Sequence, residues 1–75
     1  MSHAGRRLDN IALVPASLLP FKAQWEELRH SLDAGDVLMV MPPTPTPLYQ
    51  ALRRLAPKLR AHGRRVTAVP VERFR

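Results

Sequence analysis

Basic side chains are concentrated in the second half of this sequence, where no acidic residue offsets them. Residues 37 to 71 carry six basic side chains and no acidic one, a net charge of +6, whereas residues 1 to 36 carry four basic and five acidic ones, a net charge of −1. Several of the six are four or seven residues apart, the spacing of side chains on one side of an α-helix. A surface of single sign attracts the phosphates of nucleic acids, because binding releases condensed counterions. The candidate nucleic-acid-binding residues are Arg53, Arg54, Lys58, Arg60, Arg64 and Arg65.

The same residues also fit a simpler interpretation, a solvated helix face that keeps a small protein soluble. Proteins that bind single-stranded nucleic acid commonly interleave aromatic side chains with basic ones, because bases stack on the rings. Tyr49 and Phe74 are the only aromatic candidates in this half of the chain, and in the sequence neither lies among the arginines. Nucleic-acid binding is therefore the alternative function rather than the first one.

Residue types that support catalysis or metal binding are sparse and dispersed. The three histidines are far apart and have no cysteine partner; they are His3, His30 and His62. Asp33 and Asp36 flank Gly35 as a carboxylate pair would, but acidic residues also commonly bound the turn that ends a helix. Ser17 has no nucleophile motif around it. The sequence therefore predicts no enzyme activity, no cofactor and no metal site.

A proline-rich loop, Pro42–Pro47, follows an apolar run at the position where α/β sheets commonly bind ligands. The N-terminus of the helix that follows would favour an anion, and Thr44 and Thr46 offer hydroxyl groups. Phosphate cradles, however, donate backbone N–H groups, and four of these six residues are prolines, which have none. A nucleotide site around residues 44–49 is therefore a third hypothesis, and no small-molecule substrate is predicted.

One pattern occurs twice along the chain: a helical stripe of large apolar residues, a glycine and a short apolar run. The first stripe is Phe21, Trp25, Leu28 and Leu32, and the second is Leu48, Leu52, Leu55 and Leu59. Steps of four, three and four keep side chains on one helix face, whereas the short apolar runs are typical of strands. Strands are predicted at Ile11–Val14, Val37–Met41 and Val66–Val69, and helices over 18–34 and 47–62. Ser17 and Thr46 are the predicted N-terminal caps, and Pro57 predicts a kink or break in the second helix.

Alternating strands and helices predict parallel β-α-β units. The expected fold is therefore α/β, a small three-stranded parallel β-α-β-α-β sheet with both helices packed on one face. Val37–Met41 is apolar on both faces, as a central strand is, which favours the strand order 1-2-3. Right-handed crossovers then bring both helices to the same face. The alternative order 2-1-3 puts one helix on each face. Pro70 predicts that the third strand lies at an edge.

Two helices on one face would leave the other face of the sheet open. An open apolar face on a monomer indicates a protein partner. Met39 and Met41 share one strand face, and adaptable thioethers suit an interface, so they are the candidate interface residues, with plain core as the alternative. The first functional hypothesis is a non-enzymatic interaction or oligomerisation module, a homodimer or a complex with another protein formed through this face.

The length of 75 residues predicts one domain over 8–75, preceded by a flexible basic arm over 1–7. Cysteine is absent, as is common in a reducing compartment, and a cytoplasmic location is expected. No apolar run approaches the roughly 18 residues that span a bilayer, so no membrane contact is expected. The segment 36–71 resembles the strand–helix–glycine–strand unit of many nucleotide-handling α/β proteins. That resemblance, one of topology and leucine spacing, implies a fold and no activity.

Overall fold

The computed structural model of this chain describes residues 9–74, so the arm predicted for residues 1–7 lies outside the described residues. The strands are β1 (Ile11–Leu13), β2 (Val37–Met41) and β3 (Val66–Pro70), and the α-helices are α1 (Lys22–His30) and α2 (Pro47–Ala61). A 3₁₀ helix, Ala16–Phe21, leads into α1, and a second one, Val71–Phe74, follows β3.

The three strands form a parallel sheet in the order β1-β2-β3, which confirms the predicted α/β class and strand order. β2 is the central strand, and Val37 lies opposite Ile11 on one side and Val66 on the other. The first four residues of β2 are each at most 1% exposed. A strand buried on both faces has no position for a polar side chain, which explains the unbroken apolar run. Pro70 lies on an edge strand, as predicted.

The two helices lie on opposite faces of the sheet, and the expectation of one shared face is corrected here. Successive strand residues point to opposite faces. Leu38 packs in a cluster with Trp25 of α1, whereas Met39 packs in a cluster with Leu52 of α2. The β1–β2 and β2–β3 connections move in the same direction across the sheet but cross opposite faces, so they have opposite handedness. One of them therefore departs from the right-handed preference on which the expectation of a shared face was based. Both faces of β2 are apolar, and one helix on each face buries both of them.

The α1 layer, the side of the sheet that α1 covers, contains the larger buried cluster. Its buried members are Leu18, Trp25, Leu38, Val40, Val71 and Phe74. The indole Nε1 of Trp25 donates a hydrogen bond to the carbonyl oxygen of Leu18 at 3.1 Å, so the large ring is buried with its one donor satisfied. Val71 and Phe74, in the C-terminal 3₁₀ helix, are 1% and 4% exposed and close this layer.

The first helical segment begins differently from the prediction over 18–34. Its N-terminal part, Ala16–Phe21, is a 3₁₀ helix, and the α-helix begins only at Lys22. Pro20 lies inside the 3₁₀ helix and has no N–H to donate to the carbonyl of Ala16, which removes one α-helical hydrogen bond there. Ser17 is exposed, and no side-chain hydrogen bond caps the segment, so the predicted cap is wrong.

The C-terminal end of α1 is held by Asn10, which precedes β1 in the chain. The side-chain amide of Asn10 donates to the carbonyl oxygens of Arg29 and Leu32 at 3.0 and 3.1 Å. Its Oδ1 accepts a hydrogen bond from the guanidinium of Arg29 at 2.8 Å. The carbonyl oxygen of Arg29 also accepts from the backbone N–H of Leu32 at 3.1 Å, so Asn10 adds a second donor there and a donor to Leu32, which lies just beyond the helix.

The α2 helix begins where the sequence predicts. The hydroxyl oxygen of Thr46 accepts from the backbone N–H of Tyr49 at 3.1 Å, and Pro47 takes the first helical position. α2 continues through Pro57 as one α-helix, so the predicted break is wrong, while the predicted kink there stays a prediction. The ring of Pro57 is exposed, while the opposite side of the helix packs on the sheet. Gly63 follows with a φ of +84°, the left-handed conformation that commonly ends helices.

Candidate nucleic-acid interface

α2 presents two adjacent stripes of side chains, one packed on the sheet and the other beside an open groove. The leucine stripe meets the sheet through Leu52, which is 9% exposed, with Leu55 and Leu59 partly buried in the same cluster. The second stripe follows one residue after each leucine and repeats the steps of four, three and four. Its members are Tyr49, Arg53, Ala56 and Arg60. One residue corresponds to a turn of about 100° around a helix, so the second stripe lies beside the first rather than opposite it.

The groove beside this second stripe, called the α2–β3 groove, has a volume of about 310 Å³. Its remaining lining is apolar and comes from the sheet: Met39, Met41, Val66 and Ala68. Met39 is 1% exposed and Met41 is half-buried, whereas Ala68 on the edge strand is exposed. Solvent therefore reaches the apolar floor from the β3 side, and the exposed side chains of Arg53 and Arg60 stand over it.

Tyr49 belongs to the basic surface, although the sequence places it outside the run of arginines. The guanidinium carbon of Arg53 lies 5.9 Å from the centroid of the Tyr49 ring, over its face. At that separation the cation and the ring attract each other. The interpretation that no aromatic side chain lies among the arginines is therefore corrected for Tyr49. Its signal in the sequence is the second stripe, since positions 49 and 53 are one helical turn apart. Phe74 is buried in the α1 layer and does not join them.

The α2 basic face consists of Arg53, Arg54, Lys58 and Arg60, all of them exposed. None of these four side chains forms an ion pair with an acidic residue in the described part of the chain. Their charge also has no acidic neighbour in sequence, because residues 37 to 71 contain neither aspartate nor glutamate. The four charges are therefore uncompensated, and two of them, Arg53 and Arg60, line the α2–β3 groove, while Arg54 and Lys58 lie on another side of the helix.

The other two candidate basic residues are engaged within the fold. Arg65 bridges two carboxylates, Asp33 at 3.2 Å and Asp36 at 3.3 Å. Arg64 is half-buried and donates to two backbone carbonyl oxygens at 3.3 and 3.4 Å. Arg65 thus has its charge balanced locally, and the positive surface expected to extend past Gly63 is reduced to the α2 basic face. The aspartate pair noted in the sequence serves as the partner of Arg65.

The histidines, considered above for catalysis and metal binding, also form contacts within the fold. His30 lies 3.1 Å from a guanidinium nitrogen of Arg29 and 3.7 Å from a carboxylate oxygen of Glu26. The Nδ1 atom of His62 lies 2.9 Å from the carbonyl oxygen of Lys58 near the end of α2. His3 lies outside the described residues. Over residues 9–74, no three histidine, aspartate or glutamate side chains come together as metal ligands.

The predicted interface at Met39 and Met41 is corrected by the position of α2. Met39 is buried under this helix, and Met41 packs partly against the same cluster. The apolar face expected to be open is therefore covered by a helix. Its β3 side forms the floor of the α2–β3 groove, and Leu13 on its β1 side lines a second apolar cavity with Leu48 and Leu52. The wholly uncovered face on which the self-association hypothesis was based is not found in residues 9–74, and association with a partner stays a prediction.

Comparisons of the chain with protein-family models, with curated proteins and with solved structures found no match in any of the three. Within residues 9–74, none of the helices combines the length and the apolar character that a membrane span requires. The functional argument therefore depends on the side chains around α2.

Proposed function

We propose that this protein is an accessory nucleic-acid-binding protein that contacts phosphates through the α2 basic face. The observation that supports this most directly is the absence of an acidic partner for any of its four charges within residues 9–74. Arg29 and Arg65 are paired with carboxylates, whereas the other cations without such a partner in residues 9–74, Lys22, Arg64 and Arg73, lie outside α2. The α2 charges are distinguished by their concentration on one helix. Exposed cations without partners are available to replace the counterions of a phosphate backbone.

The geometry of α2 suits a backbone ligand rather than a single small anion. Arg54 and Lys58 are four residues apart and Arg53 and Arg60 seven apart, so the charges extend over two turns of the helix. No glycine-rich cradle adjoins them, and the nearby loop is rich in proline. Binding of this kind contacts phosphates and discriminates little between nucleotide sequences.

The proposal predicts a strong dependence of binding on salt. Four phosphate contacts give a slope of log K against log salt of about −3 to −4 on duplex DNA, which corresponds to a loss of about a hundredfold in affinity between 50 and 200 mM salt. Fluorescence anisotropy with a labelled duplex of about 20 base pairs measures this slope directly. Binding that is absent at 50 mM salt, or that does not change with salt, would overturn the proposal and leave the α2 basic face as a solvated surface.

A matched pair of double variants tests the location of the contacts. Arg54→Ala with Lys58→Ala removes two charges from the α2 basic face, and Lys22→Ala with Arg73→Ala removes two exposed charges from elsewhere. We expect the first double variant to reduce the magnitude of the salt slope by about two, since each lost phosphate contact lowers it by about one. The second double variant should keep a slope close to that of the parent protein. Equal losses in both would indicate attraction by net charge alone and contradict a specific role for α2.

A further inference from the structure

We infer that the α2–β3 groove accepts unpaired bases, so that this protein prefers single-stranded nucleic acid to a duplex. This inference rests on the proposed function and assigns a role to the groove beside the α2 basic face. The groove combines an apolar floor with two exposed guanidinium groups, Arg53 and Arg60, on one side. A single nucleic-acid strand matches both features, because its phosphates suit the guanidinium groups and its flat bases suit the apolar floor.

The base-binding part of the groove is the layer formed by Arg53 and Tyr49. A guanidinium plane and an aromatic ring both stack on nucleobases, and here the two lie 5.9 Å apart at one end of the groove. Met41 continues the apolar surface, and thioether side chains adapt to flat ligands of different shapes. Such stacking tolerates any base, because every base has a π-face.

The size of the groove favours unpaired bases over a duplex. Its volume of about 310 Å³ is at the lower end of the range for small-molecule sites, and its floor is open on the β3 side. In a duplex the faces of the bases are covered by their neighbours, so only phosphates reach the α2 basic face. A single strand adds stacking to the same phosphate contacts. Stacking of one base corresponds to a preference of about tenfold.

An acidic peptide is the competing occupant of this groove. β3 is an edge strand, and its outer edge could pair with an extended peptide whose carboxylates meet Arg53 and Arg60. The combination of Tyr49 and Arg53 favours a base, because a base can stack on both groups, whereas a carboxylate has no π-face. The experiment below therefore includes a peptide ligand.

The first measurement compares oligouridine of about 12 nucleotides with an RNA duplex of about 12 base pairs at one salt concentration near 100 mM. We expect the parent protein to bind the single strand about tenfold more tightly. Ala68→Leu fills the floor of the groove from an exposed strand position, changes no charge and adds no aromatic ring on which a base could stack. It should abolish this preference and leave duplex binding within about twofold of the parent. Ala23→Leu, at an exposed position on α1, is the matched control and should leave both affinities unchanged.

A second measurement does not depend on any variant. With methyl-labelled methionine, the signals of Met39 and Met41 should shift on addition of uridine monophosphate and of oligouridine, because both residues line the groove. The duplex should leave them in place.

The outcomes separate the two proposals. Equal affinity for single strand and duplex, an unaltered preference in Ala68→Leu, or unshifted methionine signals would overturn the base-binding inference while the phosphate-binding function stands. Failure of both nucleic acids to bind would overturn the function and this inference with it. Tighter binding of a glutamate-rich peptide of about 12 residues than of oligouridine would assign the groove to an acidic peptide instead.

Discussion

The two sides of the sheet are built from similar stripes of the sequence but differ in how completely they are closed. Among residues 9–74, the α1 layer contains six buried residues and is closed by the C-terminal 3₁₀ helix. The cluster under α2 contains three in the same range, namely Met39, Leu52 and Ala56, and an open groove adjoins it. The contrast indicates a division of roles, in which the α1 layer supplies most of the stability and the α2 side supplies an accessible, charged surface.

This division has a physical origin in the side chains available to each helix. Trp25 and Phe21 on the first segment are large enough to reach both the sheet and the C-terminal 3₁₀ helix. The second stripe of α2 instead carries arginines where a closed layer would need apolar residues. Arginine heads remain in water, so these side chains border the groove without filling it as large apolar residues would.

The largest expected effect separates the two layers by truncation of one buried side chain in each. Trp25→Ala should lower the free energy of unfolding by about 3–5 kcal/mol, whereas Leu52→Ala should lower it by about 2 kcal/mol. Both side chains are 9% exposed, but the tryptophan is larger and makes a buried hydrogen bond, whereas the leucine lines an apolar cavity with Leu13 and Leu48. Urea unfolding followed by circular dichroism measures both values. A Leu52→Ala variant less stable than Trp25→Ala would contradict the division of roles.

Leu19→Ala is the control for that pair. Leu19 is 65% exposed on the same segment as Trp25, so its truncation should change stability by less than about 0.5 kcal/mol.

An intermediate effect is expected from Asn10, which acts on the α1 side alone. Asn10→Ala removes the side-chain donor to the carbonyls of Arg29 and Leu32 and the acceptor for the Arg29 guanidinium, and should cost about 1–3 kcal/mol, the range for the loss of partly buried hydrogen bonds. Hydrogen exchange should become faster in the last turn of α1 and stay unchanged in α2. Asp9→Ala, at the exposed neighbouring position, is the control. Faster exchange in α2 in place of α1 would show that the two layers do not open independently.

The smallest effect concerns the start of α2. Thr46→Ala removes the side-chain acceptor for the N–H of Tyr49 and should cost about 1 kcal/mol, as loss of an N-terminal cap typically does. Thr46→Ser keeps the hydroxyl and should restore most of the loss. Thermal unfolding of the three proteins tests this. A serine variant as unstable as the alanine variant would exclude the capping role.

Elements defined by local residue patterns were predictable. The central strand has the predicted limits, and the helix after Thr46 begins at the predicted residue, because periodicity and capping depend only on neighbours in the chain. The first helical segment was less predictable. Pro20 interrupts the α-helical hydrogen bonds at its beginning, which is a 3₁₀ helix. The end of the segment contacts Asn10, which lies 19 residues before Arg29 in the chain.

The candidate site was predictable only in part. The basic residues of α2 are evident from composition and spacing. Tyr49 could be found by the same spacing, because it follows Leu48 by one residue as Arg53 follows Leu52. The pairing of Arg65 with Asp33 and Asp36 joins residues about thirty positions apart. A count of charges along the sequence therefore assigns Arg65 to the positive surface, although in the fold two carboxylates lie beside it.

The sequence by itself therefore determined the succession of strands and helices, the central position of β2 and the net positive charge of the second half. These follow from side-chain type and spacing, which act locally. The tertiary structure decided which face each helix covers, which arginines keep an uncompensated charge and which groove lies beside them. Those properties depend on contacts between distant segments, because a strand that is apolar on both sides does not specify which helix will cover which side.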